Sequence, residues 1–179
     1  MKATGIVRRI DDLGRVVIPK EIRRTMRIRE GDPLEIYTTR DGEVIFKKYS
    51  LIGGLEDFAA QFCDTLSRNT DFTAAVTDRD GIVAVAGAGK RELLGKNLSP
   101  QLEQIMEQRS IYQSRSGQER LPVSESTGQY AAAVAAPILC GGDVLGLVLF
   151  VSAEDRLPGE GEYKLAQAVA GFLGKHMET

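Results

Sequence analysis

Residues 11–32, DDLGRVVIPKEIRRTMRIREGD, hold five arginines and one lysine beside the apolar run Val16–Ile18. A guanidinium group can hold two phosphate oxygens, or the acceptor edge of a guanine base, through parallel hydrogen bonds. The ammonium group of lysine acts instead as a point charge. Arginines gathered in one short segment therefore indicate a surface that binds a polyanion.

Several of these cations fall on one side of a predicted helix. Proline suits the start of a helix, so Pro19 predicts that KEIRRTMR is helical. At about 100° per residue, Ile22 and Met26 lie on one side of this helix. Four cations lie within an arc of about 100° on the other side: Lys20, Arg23, Arg24 and Arg27. A charged helix face is often only a solvated face, but four cations without acids between them repel one another, which favours a bound polyanion.

The charge of the chain is divided unevenly along its length. Residues 1–50 hold 12 basic and 8 acidic residues, whereas the whole chain has a formal net charge of -2. The sign changes near KKYSLIGGLEDF, where Gly53-Gly54 predicts a hinge. We therefore predict a basic N-terminal domain at residues 1–50 (the head), a linker at 51–54 and an acidic domain at 55–179 (the body).

The head is predicted to contain two strands, one short helix and a hairpin. TGIVRRI and RVVIP are rich in β-branched residues and predict two strands separated by the turn residues DDLG. LEIYT and EVIFKKY predict a hairpin that turns at Asp41-Gly42. Asp11 and Asp12 stand at the first turn, where a structural use is expected rather than acid–base catalysis.

The head is too small to build a core of its own. A chain of about 50 residues buries too little apolar surface to be comfortably stable. Its apolar residues nevertheless need partners: Leu13, Val16, Ile18, Ile22, Met26, Ile28, Leu34, Ile36, Val44 and Phe46. An obligate dimer in which two heads share one core meets this need and doubles the arginine surface, to which Arg8, Arg9 and Arg15 can contribute.

The body is predicted to be an α+β domain with its first and last helices on one side of an antiparallel sheet. Apolar residues at helical spacing predict the first helix in LEDFAAQFCDTLSRN. FTAAVTDRDGIVAVAG predicts a hairpin turning at Asp80-Gly81, and QYAAAVAAPIL and VLGLVLFV predict two strands joined by CGGD. Ser99 as N-cap and Pro100 at the first helical position begin a helix in LSPQLEQIMEQR.

A closing helix is predicted after Pro158, with Leu165, Val169, Phe172 and Leu173 on one apolar face. The same helix carries small residues that would permit close approach to another helix, or that simply fill space within the monomer: Ala166, Ala168, Ala170, Gly171 and Gly174.

The head resembles the swapped-hairpin DNA-binding domain of the AbrB family of bacterial transition-state regulators. The resemblance rests on GRVVIP followed by a short helix and EIY, and it covers nearly all of residues 1–50. It implies an intertwined dimer in which hairpins from both chains complete one β-barrel. It also implies DNA-contacting arginines at Arg8, Arg15, Arg23 and Arg24. Arg9, Lys20 and Arg27 are additional candidates, and several relatives have uncharged residues at the last two positions.

The body resembles a GAF domain in its terminal helices, its central antiparallel sheet and the late hairpin APILCGGDVLGLVLFV. GAF domains commonly sense small molecules, and their outer helices commonly associate into bundles. This resemblance implies assembly of head dimers into a tetramer through the terminal helices. It leaves open a small-molecule effector of unknown identity. No other cofactor is indicated.

Several classes of function are not supported by the sequence. GAGK at 87–90 lacks the upstream glycine and the following Ser or Thr of a P-loop. The chain has a single histidine, His176, and its two cysteines lack metal-ligand spacing. Cys63 is expected to be a core thiol, whereas Cys140 opens a turn, which leaves open a thiol-based GAF-fold enzyme as a minor alternative.

No membrane association is expected. The apolar runs Tyr130–Leu139 and Val144–Val151 are shorter than the roughly 20 residues that span a bilayer. The segment MKATGIVRRIDD has no apolar stretch of signal-peptide length. We expect a cytoplasmic, nucleoid-associated protein.

These resemblances together imply a non-enzymatic, double-stranded-DNA-binding regulator that activates and represses sporulation-stage genes. Few Asn or Gln in the head are available to read adenine, so specificity is expected from phosphate positioning and DNA shape. The alternative is an antitoxin-like or scaffold protein whose partner is another protein, because the swapped-hairpin fold is also similar to that of some antitoxins.

Overall fold

The computed structural model describes residues 4–50 and 52–178. The ends of the predicted head and body (1–3 and 179) and the first linker position (51) lie outside the described residues. The chain divides into two compact units, Met1–Tyr49 and Ser50–Thr179. Within the predicted linker, Ile52–Leu55 forms a short 3-10 turn, and Ile52 is buried in the core of the second unit. This part of the linker therefore belongs to the body.

The head contains one helix and one hairpin. Helix α1 spans Lys20–Thr25, with Pro19 as its N-cap rather than its first helical residue. Strands β1 (Leu34–Thr38) and β2 (Val44–Lys48) pair antiparallel. At their turn Gly42 has a φ of 82°, a conformation that glycine adopts without strain. This hairpin confirms the prediction.

The two strands predicted ahead of α1 are not formed in the single chain. Residues 4–10 and 15–19 have no assigned secondary structure, because a strand needs a neighbour to accept and donate its backbone hydrogen bonds. Among residues 4–49 only Pro19 is buried. The exposed apolar residues include Ile6, Val7, Ile10, Leu13, Val16, Val17, Met26, Ile36, Tyr37, Val44, Phe46 and Tyr49. A single head therefore has its apolar residues but no core.

The body contains a six-stranded antiparallel sheet. Its strands are β3 (Thr73–Thr77), β4 (Ile82–Ala86), β5 (Tyr112–Gln113), β6 (Leu121–Pro122), β7 (Ala131–Cys140) and β8 (Asp143–Ser152). The order across the sheet is β4-β3-β8-β7-β5, and β6 also pairs with β7. The predicted hairpins are both present. The two-residue strands β5 and β6 were not predicted.

Helices cover both faces of this sheet. The terminal helices α2 (Glu56–Arg68) and α5 (Glu160–His176) pack on one face, as predicted. On the other side lie α3 (Lys90–Leu93) and α4 (Pro100–Gln108). The Ser99 hydroxyl caps α4 by accepting a hydrogen bond from the Leu102 N–H at 3.2 Å, which confirms the predicted N-cap.

Two apolar layers fill the body, one on each face of the sheet. The first lies between the terminal helices and the sheet and includes Cys63, Phe150 and Leu173. The second lies between α4 and the sheet and includes Leu102 and Leu147. Because both layers consist of side chains with little or no solvent exposure, the body has the complete core that a single head lacks.

Most of the small residues of α5 fill space within the monomer. Ala166, Ala170 and Gly174 are buried, whereas Ala168 and Gly171 are exposed. A Cβ atom at Gly174 would lie 2.0 Å from the carbonyl oxygen of Leu139 at the end of β7. Glycine at this position therefore lets α5 approach the sheet closely.

Candidate nucleic-acid interface

The turn that carries Arg15 is held by one aspartate. The Asp11 carboxylate accepts hydrogen bonds from the backbone N–H of Leu13 at 3.0 Å and of Arg15 at 2.8 Å. Its second oxygen accepts from Nε of Arg15, also at 2.8 Å. The backbone bond from Arg15, followed by its side chain, holds the pKa of Asp11 below its ordinary value. Asp11 therefore fixes the direction of the Arg15 guanidinium, a structural role as predicted for this turn.

The cations of α1 are exposed and unneutralised. Lys20, Arg23 and Arg24 all lie on the surface, and none of the three forms an ion pair with another described residue. Arg23 and Arg24 occupy the last turn of the helix, where cations are favoured by the partial negative charge of the helix end. Ile22, on the opposite side, is half-buried. The structure thus keeps these cations on one side, as the spacing predicts.

Arg27 departs from the predicted arc. The helix ends at Thr25, and Arg27 adopts a left-handed φ of 52° immediately after the C-cap residue Met26. The Ile28 N–H donates to the Arg23 carbonyl at 2.8 Å, which closes a Schellman-type end. The prediction that Arg27 shares one helical arc with the other cations was therefore wrong, because α1 ends at Thr25.

The end of α1 is also tied to the hairpin. Nζ of Lys48 donates to the Arg27 carbonyl at 2.8 Å and lies 3.6 Å from a carboxylate oxygen of Asp32. The same Asp32 oxygen accepts from the Arg29 N–H at 2.8 Å. Sequence reasoning missed this positioning role of Lys48, because a lysine on a strand carries no local signal of a partner 21 residues away.

Arg8 and Arg9 lie in the exposed segment 4–10, which has no strand partner in the single chain. Arg15 is brought into a fixed turn and Arg23 and Arg24 into one helix turn, but the single chain does not assemble all of the predicted site residues into one surface.

A cluster of aromatic rings occupies the outer side of the terminal helices. Phe58 stacks on Phe172 and on His176, with centroid distances of 6.3 and 5.4 Å, and Phe62 packs against Phe172 at 5.3 Å. Phe58 is 38% and Phe172 is 48% exposed. Leu165, which the sequence places on the same apolar face of α5 as Phe172, is also 38% exposed. The apolar stripe of α5 is thus broader than the sheet can cover.

The two cysteines differ in burial. Burial raises the pKa of the Cys63 thiol to about 12, so this thiol stays protonated at neutral pH. Cys140 is half-buried. The expectation of a core thiol at Cys63 is confirmed.

The described residues hold neither a metal-binding cluster nor a membrane-spanning helix. Among them, no group of three or more His, Cys, Asp or Glu side chains is arranged to hold a metal ion. None of the helices in residues 4–50 and 52–178 is both long and apolar enough to cross a bilayer.

The sequence relatives agree with this division into head and body. Residues 54–178 match the family described as "Stage V sporulation protein T C-terminal, transcription factor". Stage V sporulation protein T of Bacillus subtilis (strain 168) is 50% identical to the chain over 181 residues, covering 99% of each protein. The chain belongs to the stage V sporulation protein T family. Because this is a family of transcription factors, the expectation of a regulator rather than an enzyme is confirmed.

The head has relatives of its own. The transition state regulatory protein AbrB of the same organism is 63% identical over 49 residues, which cover 27% of this chain and 50% of that protein. Residues 7–51 also match the family described as "Antidote-toxin recognition MazE, bacterial antitoxin". The predicted resemblance to AbrB is confirmed.

The body shares its fold with a solved GAF protein. The GAF domain/HD domain protein from Geobacter sulfurreducens has a TM-score of 0.52 to this chain at 14% identity, covering 73% of this chain and 99% of that one. At this identity the match concerns the fold alone. The predicted α+β class with a GAF-like second domain is confirmed.

Proposed function

We propose that this protein regulates the transcription of sporulation-stage genes, as activator and repressor, by binding double-stranded DNA through its head. The observation that carries the proposal is that the arginines of α1 are exposed. No acidic side chain of the described residues forms an ion pair with them. Arg8, Arg15, Arg23 and Arg24 are the proposed phosphate and base contacts, and Arg9, Lys20 and Arg27 are secondary contacts. A transcription factor that carries its basic surface on the head acts on the DNA of the nucleoid, in the cytoplasm.

Two heads are needed to build the DNA-binding surface. Twelve exposed large apolar residues in a unit of about 50 residues cannot remain hydrated at low cost, since each buried apolar side chain contributes about 1.5–3 kcal/mol. A second copy that supplies strand partners for residues 4–10 and 15–19 would bury them and satisfy the open backbone groups. The dimer then presents every arginine twice, on one surface.

The aromatic cluster of the body supports further assembly into a tetramer. Phe58 and Phe172 stay partly exposed on neighbouring helices, as expected of a surface that a second body covers. A Phe172→Glu variant should therefore change the solution species from tetramer to dimer. Burying a carboxylate in an apolar interface costs at least about 2 kcal/mol. Light scattering after size-exclusion chromatography measures the mass.

Leu94→Glu is the matched control, since Leu94 is 45% exposed in the body but lies next to α3, outside the aromatic cluster. Its mass should equal that of the unmodified protein. A tetramer that persists in Phe172→Glu, with unfolding unchanged, would place the assembly surface elsewhere.

The test of the proposed function is footprinting of the full-length protein on genomic DNA at several salt concentrations. We expect protected sites near sporulation-stage promoters, with an affinity that falls linearly in a plot of log K against log salt. Absence of protected sites at about 50 mM salt would contradict DNA regulation.

A second candidate is recognition of a protein partner, favoured by the match of residues 7–51 to an antitoxin family. The head would then cover its exposed apolar residues with a different protein. A stoichiometric partner that purifies with the chain, together with weak and salt-insensitive DNA binding, would favour this candidate.

A further inference from the structure

The loop between β6 and β7 forms a surface pocket with the segment around α3. Its lining is Arg91, Glu92, Lys96, Ser126, Thr127, Gly128 and Gln129. The pocket lies at the surface and none of its lining residues belongs to the second apolar layer, whose Leu93, Leu98, Leu102 and Val123 are each at most 2% exposed. Any ligand of this pocket is therefore held at the surface and not between α4 and the sheet.

The pocket carries two cations that form no ion pair with another described residue. Arg91 and Lys96 are exposed, and neither forms an ion pair with another residue of the described chain. The one acid in the lining, Glu92, is engaged by neutral donors instead. Its Oε2 accepts from Nε2 of Gln129 at 2.6 Å, and its Oε1 accepts from the Tyr130 hydroxyl at 3.2 Å. Arg91 and Lys96 together with Glu92 give the lining a formal charge of +1.

Thr127, one of the lining residues, has a side-chain hydroxyl that is buried and lacks a hydrogen-bond partner. Thr127 is only 9% exposed, and its Oγ1 is the one buried side-chain N or O atom of the described residues with no partner. The backbone of Thr127 is already used, because its N–H donates to the Ser124 carbonyl at 3.3 Å and its carbonyl accepts from the Tyr130 N–H at 3.0 Å. A buried hydroxyl without a partner is unfavourable, and native proteins rarely keep one without a reason.

We propose that this pocket binds a small oxyanion, the phosphate or carboxylate group of a metabolite. Arg91 and Lys96 neutralise the charge, and rotation of the Thr127 side chain supplies a hydroxyl donor to a ligand oxygen. The proposal deepens the sensing role considered for the body, and it does not depend on DNA binding by the head.

The test is calorimetric titration of the full chain with inorganic phosphate, and in a second arm with citrate, in a chloride buffer. Arg23→Ala/Arg24→Ala serves as the background, because it removes head cations that bind the same anions. In this background we expect Arg91→Gln and Lys96→Gln each to weaken binding about tenfold, the usual effect of losing a charge-assisted hydrogen bond.

Thr127→Val provides a readout that a general charge effect would not move. It removes the hydroxyl and keeps the shape, so anion binding should weaken about fivefold while the melting temperature of the free protein rises. Lys164→Gln, which removes an exposed lysine of α5, is the charge-matched control and should leave the affinity unchanged.

The outcomes separate this proposal from the one for the head. Binding of either anion that weakens in all three pocket variants supports the site, and the arm that binds identifies phosphate or carboxylate. No heat from either anion up to about 10 mM, or an affinity unchanged in Arg91→Gln and Lys96→Gln, overturns it. If the background variant loses DNA binding but retains anion binding, the pocket proposal is supported independently of the proposal for the head.

Discussion

An Arg23→Ala/Arg24→Ala double variant should bind its DNA sites at least about a hundredfold more weakly at low salt. In the proposed dimer of heads, the double substitution removes four guanidinium groups. Since each lost phosphate contact lowers the slope of log K against log salt by about 0.9, the slope should become shallower by about 3.6. Alanine is the best helix former, so α1 itself should persist. Fluorescence anisotropy with a labelled duplex across a salt series measures both quantities.

The control for this experiment is Arg68→Ala. Arg68 is an exposed arginine of α2 that pairs with Asp64 four residues earlier, at 3.0 Å, and such surface pairs contribute little to stability. Its affinity and salt slope should match those of the unmodified protein. Equal affinity and equal slope in the double variant, with the dimer intact, would show that α1 does not face the DNA.

Gly174→Ala should destabilise the body by about 3 kcal/mol and lower its melting temperature by about 10 °C. The added Cβ would lie 2.0 Å from the Leu139 carbonyl oxygen and 3.0 Å from the carbonyl carbon. These are backbone atoms of β7, so relief requires the end of α5 to move away from the sheet. Denaturant and thermal unfolding, followed by circular dichroism, measure the loss.

Gly171→Ala is the matched substitution on the same helix. A Cβ at Gly171 would meet no atom of the described residues within 4 Å, and its φ is not in the left-handed region. Alanine there should stabilise the helix by about 0.5–1 kcal/mol through backbone entropy alone. If both variants had the same stability, the close approach of α5 to β7 would not be a constraint on the fold.

Long periodic segments were predicted well from the sequence. The apolar stripe of α2, the cap formed by Ser99 before Pro100, and the turn glycines of the hairpins each depend on neighbours within a few residues. The strands β5 and β6 have two residues each, too few to show any alternation, and they exist because β7 offers a free edge.

What the sequence did not predict depends mainly on distant parts of the fold, whereas the position of Arg27 depends on the local end of α1. Leu165 and Phe172 share the apolar stripe of α5, but the sheet has room only for its inner part. Ile52 looked like part of a linker beside Gly53-Gly54, although the body's core holds it. Arg27 fits the helical spacing of the sequence, but the helix ends before it, at Thr25.

If two heads pair as proposed, the near-absence of buried residues in a single head couples its folding to that pairing. At low protein concentration, the concentration of paired heads that can bind DNA should therefore grow with the square of the chain concentration. Promoters under such control would not respond to slow synthesis of the protein. They would respond once its production passes a threshold.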